Sequence, residues 1–244
     1  YVESLSRSKA PQGSFKSIRL NDIIVCNHTS YIDIIYLTYR YSPIFCIPPN
    51  DKQSAIEGRL IPLSIAGALS NAIFSPMQLS GQSVPTSQVV QRINSSWSGP
   101  VIVLPEGTTS NGSGLLDIQP VFVENNNLLV DHFHVIGITY PTSTSTSPSY
   151  TVGNYFLHLL KVCAVWRHEI IVRYLSRNCV PSLPLDGSSG PVDTQDVIEW
   201  FDALFKSLSS MINCRRTKIT ANQKLSFVAY WRGYSSNYSN EKKT

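Results

Sequence analysis

Two apolar runs separated by a short polar turn constrain this chain most. Residues 23–25 predict a buried strand and residues 32–39 predict a helix. In α/β proteins, catalytic groups commonly lie where a strand ends and a helix begins. His28 lies on the turn, and Asp33 follows in the first turn of the predicted helix. The Asp33 carboxylate could then hold one ring nitrogen of His28 and leave the other facing a cleft as a base.

A second polar motif follows a second predicted strand. Residues 101–104 predict that strand, which ends in Pro105, Glu106, Gly107 and Thr108. Taken singly, each motif has a plainer interpretation: a capped turn with a satisfied histidine for the first, and a surface turn for the second. Because both motifs follow strand ends, they can meet in one crevice at an edge of the sheet.

Length and composition indicate one α/β domain, with or without a small appendage. The chain has 244 residues, of which 42% are hydrophobic, so it can bury a sizeable core. Only 15% of the residues are charged, whereas about a quarter is usual for a soluble protein. A surface that partly faces a membrane would explain this shortage of charge.

Together and in this order, the two motifs resemble those of the glycerolipid acyltransferases, the family of the lysophosphatidic acid acyltransferases. The resemblance rests on residues 27–33 and 105–108, and on residues 135–141, which look like the family's later strand ending in Tyr-Pro. Around the second motif the chain is most similar to the fungal lysophosphatidic acid:oleoyl-CoA acyltransferases. The resemblance implies a glycerol-3-phosphate acyltransferase-like single α/β domain with a mixed, mostly parallel sheet flanked by helices.

The family resemblance also implies a reaction. The acyl group of acyl-CoA would pass to the free sn-2 hydroxyl of lysophosphatidic acid, giving phosphatidic acid. His28 would take the hydroxyl proton, while Asp33 would hold the ring and favour its charged form. No metal or tightly held cofactor is implied, since acyl-CoA is a co-substrate. By the same resemblance, the substrate-binding residues are Asn27, Ser30, Glu106, Gly107, Thr108 and Thr109.

The chain departs from the family at two positions that often carry arginine. Thr109 follows Glu-Gly-Thr, and Phe74 is followed by Ser75 without an early arginine. A phosphate could instead be held by backbone N–H groups, by hydroxyls or by a nearby basic side chain. The basic candidates are Lys52, Arg59 and Arg92. These departures leave two alternatives open: another acceptor, such as glycerol 3-phosphate or a different lysophospholipid, and a non-catalytic lipid-binding or membrane-trafficking module.

Both ends of the chain are expected to lie outside the acyltransferase domain, which is placed at residues 18–213. Residues 1–17 are predicted to be a lead-in that follows a removed membrane anchor. Residues 214–244 are predicted to be a basic, aromatic tail, with seven Lys/Arg against one acid. Such a tail fits nucleic-acid binding, attraction to anionic lipids or a solvated disordered segment. The resemblance favours lipid over nucleic acid, and it places the protein at a membrane, on the cytosolic face of the endoplasmic reticulum and on lipid droplets.

Periodicity predicts further elements around the two motifs. They are a strand at 44–47, helices at 60–74, 84–97 and 155–166, a strand at 168–175, and an amphipathic helix capped by Asp193 or Thr194. The helix at 60–74 is the predicted lining of an apolar groove for the acyl chain. Residues 141–149, rich in Ser, Thr and Pro, predict a loop or mobile lid.

The remaining candidates for metal or redox chemistry are weak. Five scattered cysteines lack the spacing of a zinc site or redox motif and predict buried free thiols. His132 and His134 lie on one predicted strand face, but no third ligand stands at a suitable spacing. We therefore expect them to be histidines at the start of a strand.

Overall fold

The structure, a computed structural model, is an α/β fold in which helices flank a mixed, mostly parallel sheet. It describes residues 2–4, 18, 22–49, 58–74, 83–95, 99–118, 123–124, 127–128, 133–141, 146–176, 179–181 and 194–231.

Eight of the strands in these ranges form one main sheet. Their spatial order is β1 (Val2–Ser4), β11 (Ile171–Tyr174), β10 (Phe133–Thr139), β2 (Ile23–Cys26), β6 (Val101–Val103), β3 (Ile44–Ile47), β4 (Arg59–Leu63) and β5 (Val84–Pro85). The central neighbours β10, β2, β6 and β3 are parallel, whereas β11 and β4 run antiparallel to them. Two short pairs lie apart: β7 (Gly114–Leu115) with β12 (Arg215–Arg216), and β8 (Val123–Glu124) with β9 (Asn127–Leu128).

Helices cover both faces of the sheet. The helices described are α1 (Tyr31–Tyr41), α2 (Ile65–Phe74), α3 (Thr86–Ser95), α4 (Tyr155–Cys163), α5 (Thr194–Ile212) and α6 (Ala221–Trp231). Ile34 of α1 and Ala68 of α2 share a buried cluster with Ile24 of β2. Ile23 and Val25 belong to the opposite cluster, which α5 covers. Because β2 is buried on both faces, its sequence is a continuous apolar run without alternation.

The predicted amphipathic helix is α5, and its apolar face is part of the core close to the sheet. Its buried members are Trp200, Phe201, Leu204, Phe205, Leu208 and Ile212. At Gly137 of β10, a Cβ atom would stand 2.3 Å from Ile212 Cγ2 and 2.9 Å from Met211 Cε. Glycine is therefore required for this helix to approach β10. Asp193, one of the two predicted caps, lies outside the described residues.

The predicted helix at residues 60–74 is wrong in its first part. Residues 59–63 form β4, which pairs with β3 and β5, and α2 begins only at Ile65. Pro62 lacks the N–H that a helix interior needs, while Ser64 Oγ accepts the N–H of Gly67 at 3.1 Å at the start of α2. Leu60 is consequently buried in the sheet and lines no helical groove for an acyl chain.

Other predicted elements are confirmed with altered bounds. The strand at 44–47 is present as predicted. In the predicted helix at 84–97, residues 84–85 form the short strand β5 and helix α3 begins at Thr86. The predicted helix at 155–166 ends at Cys163, and the predicted strand at 168–175 comprises only the four residues of β11. Within the described ranges, no helix is both long enough and apolar enough to cross a membrane.

Part of the predicted C-terminal tail packs on the domain. β12 pairs with β7, and α6 buries Lys224 and Val228. The described residues after 213 are therefore folded and not a solvated, disordered tail, while residues 232–244 lie outside the described residues. At the other end, β1 adds residues 2–4 of the predicted lead-in to the edge of the sheet beside β11.

The prediction of buried thiols holds for only two of the five cysteines. Cys26 and Cys46 are buried in the sheet, whereas Cys163 and Cys179 are exposed and Cys214 is half-buried. All five are free thiols. The two exposed cysteines lie outside the central strands, so they do not share the burial that those strands have on both faces.

Candidate active site

The two sequence motifs meet at the carboxyl ends of β2 and β6, which are adjacent parallel strands. The backbone N–H of His28 donates to Glu106 Oε1 at 2.9 Å. The N–H of Ser110 donates to His28 O at 2.8 Å. The predicted convergence of the motifs is therefore confirmed, and these bonds join them directly.

Asp33 organises the turn that carries His28. Its Oδ2 atom accepts the backbone N–H groups of Thr29 at 2.7 Å and Ser30 at 2.8 Å. Ser30 in turn caps α1, since its Oγ accepts the N–H of Ile32 at 3.2 Å. This reciprocal capping box is a local consequence of Ser at the cap and Asp three residues later. It curls the carboxylate back over the turn.

The same carboxylate oxygen holds the histidine ring. His28 Nδ1 lies 3.2 Å from Asp33 Oδ2, and both side chains are fully buried. Tyr140 donates its hydroxyl to the other oxygen, Oδ1. Burial, and then the nearby Asp33 charge, hold the pKa of Tyr140 well above its usual value, so it stays a donor.

The second ring nitrogen of His28 is left open. Among the described residues, Nε2 is buried and has no hydrogen-bond partner. Buried polar atoms are nearly always paired in proteins, so a satisfied structural histidine does not explain this ring. With Nδ1 donating to Asp33, Nε2 carries the lone pair that a general base requires.

Glu106, of the second motif, is buried and is hydrogen-bonded to His28 of the first. Its Oε2 accepts the N–H of Leu116 at 2.9 Å, so both carboxylate oxygens are bound to backbone amides. Burial raises the pKa of Glu106 to about 7, and the amide hydrogen bonds of Leu116 and His28 act against that rise. In this structure the carboxylate positions the backbone of His28, and its predicted contact with the acceptor stays a prediction.

Gly107 makes the turn that follows. Its φ of +67° lies in the left-handed region, which favours glycine. Its N–H donates to Leu104 O at 3.0 Å, and its carbonyl accepts Asn71 Nδ2 at 3.1 Å. The turn is thereby fixed both to its own strand and to α2.

Lys224 is a site residue that sequence reasoning missed. Its ammonium group donates to Thr108 Oγ1 at 3.0 Å, to Thr109 Oγ1 at 2.7 Å and to the Thr109 carbonyl. Burial lowers the pKa of Lys224 to about 8, and Glu106 acts in the opposite direction. The residue lies in α6, 115 positions after Thr109. No local pattern signals such a contact, and the basic composition of the segment indicated a tail.

The other predicted site residues bind neighbouring strands and loops. Asn27 Nδ2 donates to Ile138 O at 2.9 Å, and its Oδ1 accepts the N–H of Ile138 at 2.7 Å, so the turn is tied to β10. Ser30 Oγ donates to Pro148 O at 2.6 Å. Both side chains shape the turn around His28, and their contact with substrate stays a prediction.

Residues 146–149 of the predicted lid, together with Tyr150 after it, pack on this turn. Besides the bond from Ser30, the N–H of Tyr150 donates to Thr29 O at 3.0 Å. His28 is fully buried, so a substrate hydroxyl must displace neighbouring groups to reach Nε2. A surface cleft borders the second motif, lined by Pro48, Pro105 and Gly107 among others, but His28 does not line it. The prediction that the second ring nitrogen of His28 faces a cleft is therefore not confirmed.

Only one of the three basic candidates for phosphate binding has a described side chain. Arg59 Nε donates to Ser83 Oγ at 3.0 Å, and Lys52 and the side chain of Arg92 lie outside the described residues. His134 Nε2 lies 2.9 Å from Asp22 Oδ2, at the start of β2 and away from His28. In the part of the chain that the structure covers, no cluster of three or more His, Cys, Asp or Glu is arranged to hold a metal.

Comparison with known proteins gives one relevant similarity. The chain is 25% identical over 229 residues to a Schizosaccharomyces pombe protein named "Putative lysophosphatidic acid:oleoyl-CoA acyltransferase". The match covers 92% of this chain and 68% of that relative. No protein-family model and no solved structure matches the chain. The similarity is distant, and the name of that relative agrees with the family that the two motifs resemble.

Proposed function

We propose that the chain is an acyl-CoA-dependent O-acyltransferase that acylates the free sn-2 hydroxyl of lysophosphatidic acid to give phosphatidic acid. The observation that carries this proposal is the buried His28–Asp33 pair with its open Nε2 atom. The relative's name supports the enzyme class and is consistent with the substrates. A non-catalytic lipid-binding module would have no use for a base, a carboxylate that orients it and Glu106, which links the second motif to His28.

In the proposed reaction, His28 Nε2 takes the proton of the acceptor hydroxyl as the oxygen attacks the thioester carbonyl carbon. The resulting tetrahedral intermediate collapses when its carbon–sulfur bond breaks. The imidazolium then returns the proton to the departing CoA thiolate. The products are an ester and free CoA, so no acyl-enzyme is formed.

Asp33 and Glu106 act on His28 in different ways. Asp33 holds Nδ1–H, fixes the tautomer and stabilises the imidazolium that forms during attack. Glu106 holds the backbone N–H of the same residue from the second motif. Orienting the base against two bound substrates supplies a large part of the expected rate gain.

The positive charge of Lys224 favours an acceptor that carries a phosphate, through charge attraction, because its three N–H donors already bind Thr108 and Thr109. Its ammonium group is hydrogen-bonded to Thr109, the position at which the family resemblance leads one to expect an arginine. The positive charge thus reaches the second motif from α6. Because no arginine stands at either expected position, glycerol 3-phosphate and other lysophospholipids are the rival acceptors. A membrane location belongs to the same proposal, since both proposed substrates carry acyl chains. The endoplasmic reticulum and lipid droplets are proposed from the family resemblance alone.

The proposal is tested by offering labelled oleoyl-CoA and a panel of acceptors to the full chain. The panel contains lysophosphatidic acid, lysophosphatidylcholine, lysophosphatidylethanolamine and glycerol 3-phosphate, and His28→Ala serves as the blank. We expect the label to appear in phosphatidic acid. A phospholipase specific for the sn-2 ester should then release the labelled oleate from that product. Label in another product alone would replace the named acceptor. Turnover on no acceptor by folded protein would contradict the proposed activity.

A further inference from the structure

Helix α4 exposes apolar side chains around most of its circumference. Its large exposed residues are Tyr155, Phe156, Leu157, Leu159 and Leu160, which are 39–59% accessible to solvent. Within this helix only Val162 is buried. A helix that is apolar nearly all round normally lies inside a protein core or in a membrane. Water alone is therefore an unsuitable environment for α4.

Neighbouring aromatic residues extend this surface. Phe74, at the end of α2 and half-exposed, packs its ring against Tyr155 with the ring centroids 5.3 Å apart. Trp166, three residues beyond α4, is fully exposed. We call this set, Phe74 with residues 155–160 and Trp166, the α4 surface. Exposed apolar surfaces of this kind mark protein or membrane contacts.

The charges around the α4 surface favour an anionic bilayer as its partner. Residues 151–168 contain Lys161 and Arg167, both exposed, and no aspartate or glutamate; the first acid is Glu169. Basic residues near a membrane are attracted to anionic head groups, and Trp and Tyr prefer the interface between hydrocarbon and water. Apolar area, interfacial aromatics and basic flanks are the features that hold a helix in the plane of a membrane surface.

The α4 surface lies beside the candidate active site. His158, on α4, places Nδ1 3.1 Å from the hydroxyl of Tyr31, the first residue of α1. Its Nε2 donates to Ser147 O at 3.1 Å, in the segment 146–150 that packs on the His28 turn. A bilayer that contacts α4 would therefore reach the neighbourhood of the turn from which His28 must meet a lipid hydroxyl.

We propose that α4, with Phe74 and Trp166, lies in the interfacial region of an anionic phospholipid bilayer and positions the His28 site at the membrane surface. The role in positioning the site rests on the proposed function, whereas the contact with the bilayer does not. A protein partner or a second copy of the chain on this face is the competing occupant.

The test compares single substitutions of similarly exposed residues on two faces. Leu157→Ser and Leu160→Ser change the α4 surface, and Ile198→Ser is the matched control, because Ile198 is 41% exposed on α5, across the sheet. Partition of the full chain into vesicles of phosphatidylcholine with phosphatidylserine is measured by sedimentation. Each α4 variant is expected to bind about tenfold more weakly, and Ile198→Ser to bind like the unaltered chain. Equal binding by all three variants would overturn the proposal.

Tryptophan quenching locates the contact without depending on these variants. Brominated phosphatidylcholine in the same vesicles quenches only indole rings that enter the bilayer. We expect quenching that is lost in Trp166→Phe and kept in Trp231→Phe, a change in α6 at a residue 65% exposed. The reverse pattern would place the contact on α6 and refute the role of α4.

Failure of the two proposals can be told apart. If α4 variants bind vesicles normally while His28→Ala loses acyl transfer, the membrane inference fails and the activity stands. If vesicle binding falls as expected while His28→Ala keeps full turnover, the catalytic proposal fails alone. With a short-chain, monomeric acceptor, α4 variants are expected to retain turnover, because that acceptor needs no bilayer.

Discussion

Replacing Asp33 with asparagine separates the charge of this residue from its structural role. Asparagine has the same shape, and its carbonyl oxygen can still accept from His28 Nδ1, Thr29 N and Ser30 N, the groups that Oδ2 binds. Tyr140 can rotate its hydroxyl to accept from the new amide. The cap of α1 and the tautomer of His28 are therefore expected to survive. What is lost is the negative charge that stabilises the imidazolium.

The expected loss follows from the distance between the two groups. Nδ1 of His28 and Oδ2 of Asp33 are 3.2 Å apart. With an effective dielectric constant of about 20, opposite unit charges at that distance attract by about 5 kcal/mol. If about half of the ring charge has developed in the transition state, the barrier rises by about 2.5 kcal/mol, which is roughly 70-fold in kcat.

The assay follows release of the CoA thiol at saturating oleoyl-CoA and acceptor. Asp22→Asn is the matched control, because Asp22 and His134 form a second His–carboxylate pair at the other end of β2. Asp33→Asn should lower kcat by roughly 30- to 200-fold with little change in KM. Asp22→Asn should keep kcat within about twofold. Unchanged kcat in Asp33→Asn, or an equal fall in both variants, would refute the electrostatic argument.

Three further predictions concern the residues that support the site. The pKa of Glu106 is raised from 4.5 to about 7. Glu106 therefore contributes stability that is fully present below pH 4.5 and is lost, by up to about 3 kcal/mol, as the pH rises through about 7. Glu106→Gln should abolish this pH dependence in denaturant unfolding, and an unchanged pH profile would count against this prediction. Lys224→Met leaves two threonine hydroxyls and a carbonyl without their donor. This change should lower the free energy of unfolding by about 1–3 kcal/mol and raise the KM for the phosphate-bearing acceptor. An unaltered unfolding midpoint and an unaltered KM would show that α6 does not support the second motif. Gly137→Ala drives a methyl group into Ile212 and should cost about 1–3 kcal/mol in thermal unfolding without lowering kcat of the folded enzyme; equal stability would mean that α5 can shift at no cost.

The parts of the site that local sequence determines were predictable. Residues 23–25 and 101–104 are apolar runs because parallel strands are buried on both faces, so the two strand ends could be placed. His28 and Asp33 lie five positions apart, and a capping box brings such neighbours together without help from the rest of the fold. For the same reason, the cap of α1 follows from Ser30 and Asp33 alone.

The parts that depend on distant pairing were not predictable from local patterns. Residues 60–74 have the apolar content of a helix, but pairing with β3 and β5 makes 59–63 a strand. Lys224 belongs to a segment whose basic composition indicates a tail, and only the β12–β7 pair and α6 bring it to the second motif. Glu106 belongs to a motif that the resemblance identifies, yet its two amide partners are visible only in the fold.

The central claim is that His28 performs the proton transfer in acyl transfer, and single-turnover chemistry tests it most directly. Full-length protein is loaded with labelled oleoyl-CoA, mixed with lysophosphatidic acid and quenched over time, beside His28→Ala and the control His134→Ala. The expected result is a fall of about 100-fold or more in the chemical step for His28→Ala, with oleoyl-CoA still bound, and a normal rate for His134→Ala. A His28→Ala protein that transfers the acyl group at the normal rate would contradict the claim.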